Sequence, residues 1–124
     1  MAAAQAKARA MLPTFWKSFA LPGPGEERFA VKVAFPTNGN NSEAIWVNTL
    51  ESLGNARFRG RLANQPRDMQ GKNQVDTVEF GEAQILDWSF MRNGKIVGNE
   101  TMRPLLDRLP KAEADKYRAM LEAP

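Results

Sequence analysis

The sequence predicts an α+β fold: a single domain with a strongly twisted, mostly antiparallel sheet, or partly open barrel, of five to six strands. Three observations predict it. Large apolar residues at helical spacing occupy the first 20 residues, apolar residues alternate with polar ones from residue 29 onward, and proline-opened helical segments close the chain. The expected parts of the domain 1–124 are an N-terminal helical arm over 1–21, the sheet over 28–98 and C-terminal helices over 100–123.

The composition limits the chemistry that is open to the chain. Its 124 residues are 43% hydrophobic and 25% charged, which is typical of one compact globular domain. The chain contains no Cys and no His, which excludes disulfides, thiolate metal sites and every nucleophile that relies on an imidazole base. We therefore expect no cofactor and no metal, while chemistry based on carboxylates alone, or on a Ser paired with a Lys, stays open.

The net charge of +3 comes from an excess of basic residues within residues 1–36. That field is mild compared with the long basic tracts that bind nucleic acid, so we expect a protein or a small ligand as partner. No apolar run approaches the roughly 20 residues that a membrane span needs. The first ten residues lack the basic-then-apolar order of a secretion signal, so the default expectation is the cytoplasm, or export if a signal precedes Met1.

The N-terminal arm carries an aromatic stripe. Leu12, Phe15, Trp16 and Phe19 fall at positions i, i+3, i+4 and i+7, which places them on one side of a helix. Pro13 interrupts the pattern and predicts a second helix that opens there. We expect the stripe to pack on the sheet of the same domain, and a helix that binds a partner is the alternative.

Alternation and turn residues predict the strands. The expected strands are 29–35, 43–49, 56–62, 75–80, 85–91 and 95–97, with a connection over 50–55. Connections of two to six residues between successive strands favour the pairing of neighbours in a meander. Asn93-Gly94 lies between two apolar runs and predicts a two-residue type I′ hairpin turn, in which both residues have positive φ.

Several motifs resemble a known family. In this sequence they read Ala6-x-x-Arg9-x-x-Leu12-Pro13-x-Phe15-Trp16, Glu43-Ala44-Ile45-Trp46-Val47, Phe58-x-Gly60-x-Leu62-x-Asn64-x-Pro66 and Asp87-Trp88-x-Phe90-Met91-x-Asn93-Gly94-Lys95-x-Val97-Gly98-Asn99-x-Thr101-x-Arg103. Over nearly its whole length the chain resembles the YegJ-like bacterial domain of unknown function. The resemblance implies a small bacterial stand-alone domain. Some members of the family carry export signals, and the family has no established catalytic residues that could be assigned to this chain. The last third also resembles a domain family grouped with bacterial immunity proteins.

Asp87 lies in an otherwise apolar strand, where a buried carboxylate needs a partner. The expected partner is Arg103, which would join the hairpin to the following helix in a structural ion pair. A carboxylate in a ligand site is the alternative. Trp46 and Trp88 are each expected to pack in the core, or else to stack on a ligand.

A stripe of arginines is expected on one face of the third strand. Arg57, Arg59 and Arg61 alternate with Phe58, which points to the opposite face. The expected role is a solvated, partly ion-paired face, with cross-strand partners among Glu43, Glu51 and Glu79, rather than a nucleic-acid surface.

The longest polar loop runs from Asn64 to Asn73. Asn64, Pro66 and this loop could line a pocket, or form an ordinary turn in which Asn64 bonds local backbone. Candidate binding residues are therefore Trp46, Asn64, Asp87, Trp88 and Arg103. The expected function is a non-enzymatic protein-interaction or ligand-binding module, and the alternative is a carboxylate-dependent enzyme that uses Asp87 with Glu43 or Glu100.

Overall fold

The computed structural model of the chain describes residues 2–69 and 71–122. Expectations that fall on Met1, Gln70 and Ala123 lie outside the described residues. The helices are α1 (Ala2–Ala10), α2 (Leu12–Ala20) and α3 (Lys111–Met120), with 3-10 helices over Glu82–Gln84 and Arg103–Arg108. The strands are β1 (Glu26–Pro36), β2 (Ser42–Gly54), β3 (Arg57–Leu62), β4 (Thr77–Gly81), β5 (Ile85–Arg92) and β6 (Lys95–Gly98).

The strands form one six-stranded antiparallel sheet, in the order β4-β3-β2-β1-β5-β6, that does not close into a barrel. This confirms the α+β prediction. The expectation that neighbours pair throughout is wrong at one point, because β5 lies beside β1 and not beside β4. The 3-10 helix that joins β4 to β5 explains the step: the side-chain amide of Gln84 donates to the Ala34 carbonyl of β1 at 3.1 Å.

Strand β2 is longer than the alternation predicts, so the connection expected over 50–55 is wrong. The pairing of β2 with β3 shifts register between Asn48 and Glu51, where Thr49 has a φ of 53°. Such a bulge breaks the apolar-polar alternation, and the end of the strand therefore reads as a loop in the sequence. The turn itself is Asn55-Ala56, and both residues have positive φ.

The chain groups into two compact units, each with its own core. The terminal unit comprises residues 2–29 and 87–122, and the central unit comprises residues 30–86. Fully buried side chains fill the terminal unit (Phe15, Trp88 and Phe90) and the central unit (Val31, Val33, Val47, Leu62, Phe80 and Ile85). In the central unit the sheet curls. The ring centroids of Phe35 on β1 and Phe80 on β4 lie 6.5 Å apart, although β2 and β3 lie between β1 and β4 in the sheet.

The N-terminal arm breaks where the sequence predicts. Helix α1 ends at Ala10 and α2 begins at Leu12, with Pro13 in its first turn. Phe15 is fully buried, and its ring centroid lies 5.8 Å from that of Phe29, 5.7 Å from that of Trp88 and 6.3 Å from that of Phe90. The stripe therefore packs within the terminal unit, as expected, and its member Phe15 lies in the core.

The hairpin between β5 and β6 also confirms its prediction. Arg92 pairs with Lys95, and the two turn residues, Asn93 and Gly94, have φ values of 52° and 79°. Both angles are those of a type I′ turn, whose twist matches that of the flanking strands. The hairpin places β6 at one edge of the sheet and brings the chain round to the segment that follows Gly98.

Candidate functional site

The five residues predicted to bind fall into two groups. Trp46 and Asn64 belong to the central unit, while Asp87, Trp88 and Arg103 belong to the terminal unit.

Asp87 is a fully buried hydrogen-bond acceptor in the terminal unit. Its Oδ1 accepts the backbone N–H of Trp88 at 2.8 Å and that of Glu100 at 3.1 Å. Its Oδ2 accepts the backbone N–H of Thr101 at 2.9 Å and the Thr101 hydroxyl at 2.7 Å. Four donors therefore compensate the burial of this carboxylate and fix the segment after β6 to β5.

The predicted ion pair between Asp87 and Arg103 is wrong. Arg103 lies 3.4 Å from Glu100 Oε2, and its guanidinium donates to the carbonyls of Gly98 at 3.0 Å and Glu122 at 2.8 Å. The reason is local backbone geometry, because the turn after β6 aims its own N–H groups at Asp87 and leaves the guanidinium to other acceptors.

Glu100 is the carboxylate that does pair with Arg103. It is 4% exposed, and its Oε2 also lies 3.5 Å from the ammonium of Lys7 on α1. Two cations thus neutralise a buried carboxylate that joins the first helix to the segment after β6. The two ion pairs compensate the burial of the Glu100 carboxylate, and the four hydrogen bonds do the same for Asp87.

The two tryptophans differ in their surroundings. Trp88 is 1% exposed, and its indole N–H donates to the Ala8 carbonyl at 2.9 Å, so its polar atom is satisfied inside the terminal unit. A Cβ at Gly98 would lie 2.6 Å from the Trp88 ring, so the ring packs directly on the glycine backbone. Trp46, by contrast, is half-buried on β2.

Asn64 connects the long loop to β2. Its Oδ1 accepts the backbone N–H of Trp46 at 3.3 Å, and the backbone N–H of Ala63 donates to the Trp46 carbonyl at 2.8 Å. Asn64 thus bonds backbone, as expected, but its Oδ1 accepts from the N–H of a residue in β2 and not from the backbone of a local turn. The loop therefore starts from a fixed position beside β2.

Glu43 holds the same loop at its centre. Its two carboxylate oxygens accept the backbone N–H of Arg67 at 2.8 and 3.1 Å, and one of them accepts that of Asp68 at 2.9 Å. These hydrogen bonds, first that from Asp68 and then that from Arg67, lower the pKa of Glu43 below its ordinary value of 4.5. Glu43 is therefore bound to the loop. The prediction that it is a cross-strand partner of the arginine stripe is wrong.

An open groove of about 450 Å³ lies beside this loop in the central unit. Its lining comes from the end of β1, from the loop and from β4: Phe35, Pro36, Met69, Lys72, Thr77, Val78 and Glu79. A second depression of about 320 Å³ shares Pro36, Met69 and Lys72 with it. The loop thus does line a groove, through Met69 and Lys72, which the prediction did not single out.

The groove combines apolar side chains with one cation, Lys72, one carboxylate, Glu79, and the hydroxyl residue Thr77. Within residues 2–69 and 71–122, no carboxylate lies within ion-pairing distance of the Lys72 ammonium. The sequence signal that could have found this groove is Met69, an apolar residue in an otherwise polar loop. Over the same described residues, no group of three or more acidic side chains is placed to hold a metal ion.

The arginine stripe has the predicted exposure. Arg57, Arg59 and Arg61 are exposed, and Phe58 is buried on the other face. Arg59 donates to Glu51 Oε1 at 2.6 and 2.9 Å, and this hydrogen-bonded contact raises the pKa of Arg59. Glu51 therefore is a cross-strand partner, as expected, and the stripe is partly neutralised.

Comparison with known proteins shows the family of this chain. The family described as "Uncharacterized protein conserved in bacteria (DUF2314)" matches residues 1–122, so the chain belongs to that family. The chain is also similar to "Uncharacterized protein YegJ" of Escherichia coli (strain K12), with 35% identity over 101 residues that cover 77% of this chain. The matched region spans 61% of that relative's length. No solved structure matches, and no helix within the described residues is long and apolar enough to cross a membrane.

Proposed function

We propose that the chain is a non-enzymatic binding module whose ligand or partner lies in the groove of the central unit. One observation carries the proposal: the groove is open, is lined in part by apolar side chains and contains Lys72, for which no ion pair is found among the described residues. A concave apolar surface with a few polar groups is the usual form of a binding site.

The carboxylates of the enzymatic alternative support the same proposal. Asp87 is fully buried and accepts four hydrogen bonds, and Glu100 is paired with two cations. A general acid needs a raised pKa, whereas hydrogen bonds to the loop lower the pKa of Glu43. All three carboxylates have structural partners, which leaves binding as the better-supported function.

Affinity capture from the native bacterium tests the proposal. Three tagged proteins are compared: the wild type, Met69→Asp in the groove, and Leu53→Asp as a control at an exposed apolar position of β2 outside it. Native mass spectrometry and peptide sequencing identify what each protein retains, and thermal melts check that each is folded.

We expect the wild type and Leu53→Asp to retain the same bound species, and Met69→Asp to retain at least about tenfold less, since a charge in an apolar contact is strongly unfavourable. A folded Met69→Asp protein that retains the species in full would contradict the proposal, as would a wild type that retains nothing.

A further inference from the structure

Strand β4 has a free edge whose hydrogen-bonding groups can be assigned. Among the described residues, β3 is its one neighbour in the sheet. The Leu62 N–H bonds the Asp76 carbonyl at 3.0 Å, and the Glu82 N–H bonds the Ala56 carbonyl at 2.9 Å, which fixes the alternation between the two strands. In this register Val78 and Phe80 exchange hydrogen bonds with β3. The N–H and C=O groups of Thr77 and Glu79 therefore point away from the sheet.

The neighbouring position confirms this orientation. The N–H of Gly81, which has the same parity as Thr77 and Glu79, is bonded by the side-chain oxygen of Gln84 at 2.9 Å. The 3-10 helix after β4 thus satisfies the last outward donor of the strand. Within the described residues, no bond of this kind is found for the outward groups of Thr77 and Glu79.

The opposite edge strand of the sheet, β6, is covered. The Glu122 N–H donates to the Ile96 carbonyl at 2.7 Å, and Leu121 forms a parallel bridge with Ile96. The chain's own C-terminal segment therefore pairs with β6. Natural proteins usually cover or charge their sheet edges, so an uncovered stretch of β4 beside a groove is a distinctive feature.

The groove lies along this uncovered stretch. Thr77, Val78 and Glu79 form one of its sides, and its remaining lining comes from Phe35, Pro36, Met69 and Lys72. A strand placed there would meet outward N–H and C=O groups on one side and apolar side chains below. Only an extended polypeptide backbone offers donors and acceptors at the spacing of alternate strand residues.

We infer that this groove binds an extended peptide segment of a partner protein, which adds to β4 as a further strand; the inference rests on the proposed function and specifies its ligand. The segment carries apolar residues at alternate positions, which face Phe35, Met69 and Val78, and an acidic residue that pairs with Lys72. A second copy of β4 fits less well, because it arrives with its own β3 and long loop, whereas a peptide segment brings its backbone alone.

The first experiment selects peptides and locates them. A phage-displayed library of random dodecapeptides is selected against the full chain, and the selected peptides are measured by fluorescence anisotropy. Hydrogen exchange of backbone amides is then followed by NMR with and without the strongest peptide. We expect the amides of Thr77 and Glu79 to exchange rapidly in the free protein and at least about tenfold more slowly in the complex, while those of Val78 and Phe80 are protected in both.

Two variants test the contacts. Glu79→Pro removes an outward N–H without removing a bond to β3, so we expect a folded protein that binds the peptide at least about tenfold more weakly. Lys72→Glu should weaken binding of acidic peptides, and Lys17→Glu, an equal charge change on the exposed side of α2, should not. If Glu79→Pro does not fold, the peptide is instead N-methylated at one position at a time. Methylation should abolish binding only at alternate positions, whose N–H groups bond β4.

Three results would overturn the inference. The selection yields no binding peptide; or peptides bind without protecting Thr77 and Glu79; or these amides become protected without peptide as the protein dimerises, which would identify a second copy as the occupant. In the first two cases the proposed function is still decided separately, by the loss or retention of the captured species in Met69→Asp.

Discussion

At the scale of single residues, the structure replaces one predicted interaction with another. The motif residues Asp87 and Arg103 do not pair with each other, and each has its own partners. Backbone N–H groups and the Thr101 hydroxyl surround Asp87, whereas Arg103 pairs with Glu100 and with backbone carbonyls. A carboxylate that orders a turn by accepting its N–H groups is a charge-assisted anchor, and such bonds are stronger than neutral ones.

The first prediction concerns the coupling of Asp87. Thr101→Val should lower the free energy of unfolding by about 1.5–3 kcal/mol, because it removes a hydrogen bond to a buried charge. In double-mutant cycles measured by urea unfolding, Asp87→Asn should couple to Thr101→Val and be close to additive with Arg103→Met.

The control for this prediction is Thr77→Val, the same substitution at an exposed position of β4, which should change the stability by less than about 0.5 kcal/mol. Strong coupling between Asp87 and Arg103, with none between Asp87 and Thr101, would show that the backbone N–H groups and the Thr101 hydroxyl are not the partners of Asp87.

At the scale of elements, helix α2 belongs to the core of the terminal unit through one side chain above all. Phe15 is fully buried against three aromatic rings, while Trp16 and Phe19 on the same helix are half-buried. The periodic stripe therefore predicts which face of α2 is inward. How deeply each of its side chains is buried depends on the residues of β1 and β5 that they contact.

The second prediction separates these positions. Phe15→Ala should destabilise the protein by about 3–5 kcal/mol, because it leaves a cavity among aromatic rings. Phe19→Ala, the same change at a half-buried position, should cost clearly less. Deletion of residues 1–20 should cause aggregation or the loss of cooperative thermal unfolding. A truncated protein that stays soluble and equally stable would show that the arm is peripheral.

The third prediction concerns β3 and its arginines. Because Arg59 is paired with Glu51 and the aromatic neighbour Phe58 is buried, the stripe lacks the stacking surface of a single-strand binder. We expect no measurable binding of a fluorescent oligonucleotide at physiological salt. Tight binding that falls steeply with salt and is lost in Arg61→Gln would contradict this expectation.

At the scale of the whole molecule, local signals were predictable and the contacts between distant segments were not. Asn93-Gly94 specifies its turn by φ preference alone, and alternation reveals the faces of β1 and β3. The position of β5 beside β1 depends on a helical turn that alternation cannot reveal. The groove likewise forms from Phe35, Met69 and Lys72, which lie far apart in sequence, so the loop could be predicted to line a pocket but its lining residues could not.

The fourth prediction concerns acid stability, because each unit contains a carboxylate with a lowered pKa. The Gly23 N–H and then Arg92 and Ser18 lower the pKa of Glu26 in the terminal unit, and the N–H groups of the loop lower that of Glu43 in the central unit. Near and below pH 4.5, the unfolded chain therefore binds more protons at these two positions than the folded chain does.

Stability from both groups is consequently complete above pH 4.5 and is lost as the pH falls through the folded-state pKa values. Urea unfolding from neutral to acidic pH should show a falling free energy of unfolding for the wild type. Glu43→Gln and Glu26→Gln should each be less stable at neutral pH and lose less on acidification, since the amide does not titrate. Glu113→Gln on the exposed face of α3 should follow the wild-type curve. Parallel curves for Glu43→Gln and the wild type would mean that the loop N–H groups do not bind the ionised Glu43, and the anchoring of the groove would then need another explanation.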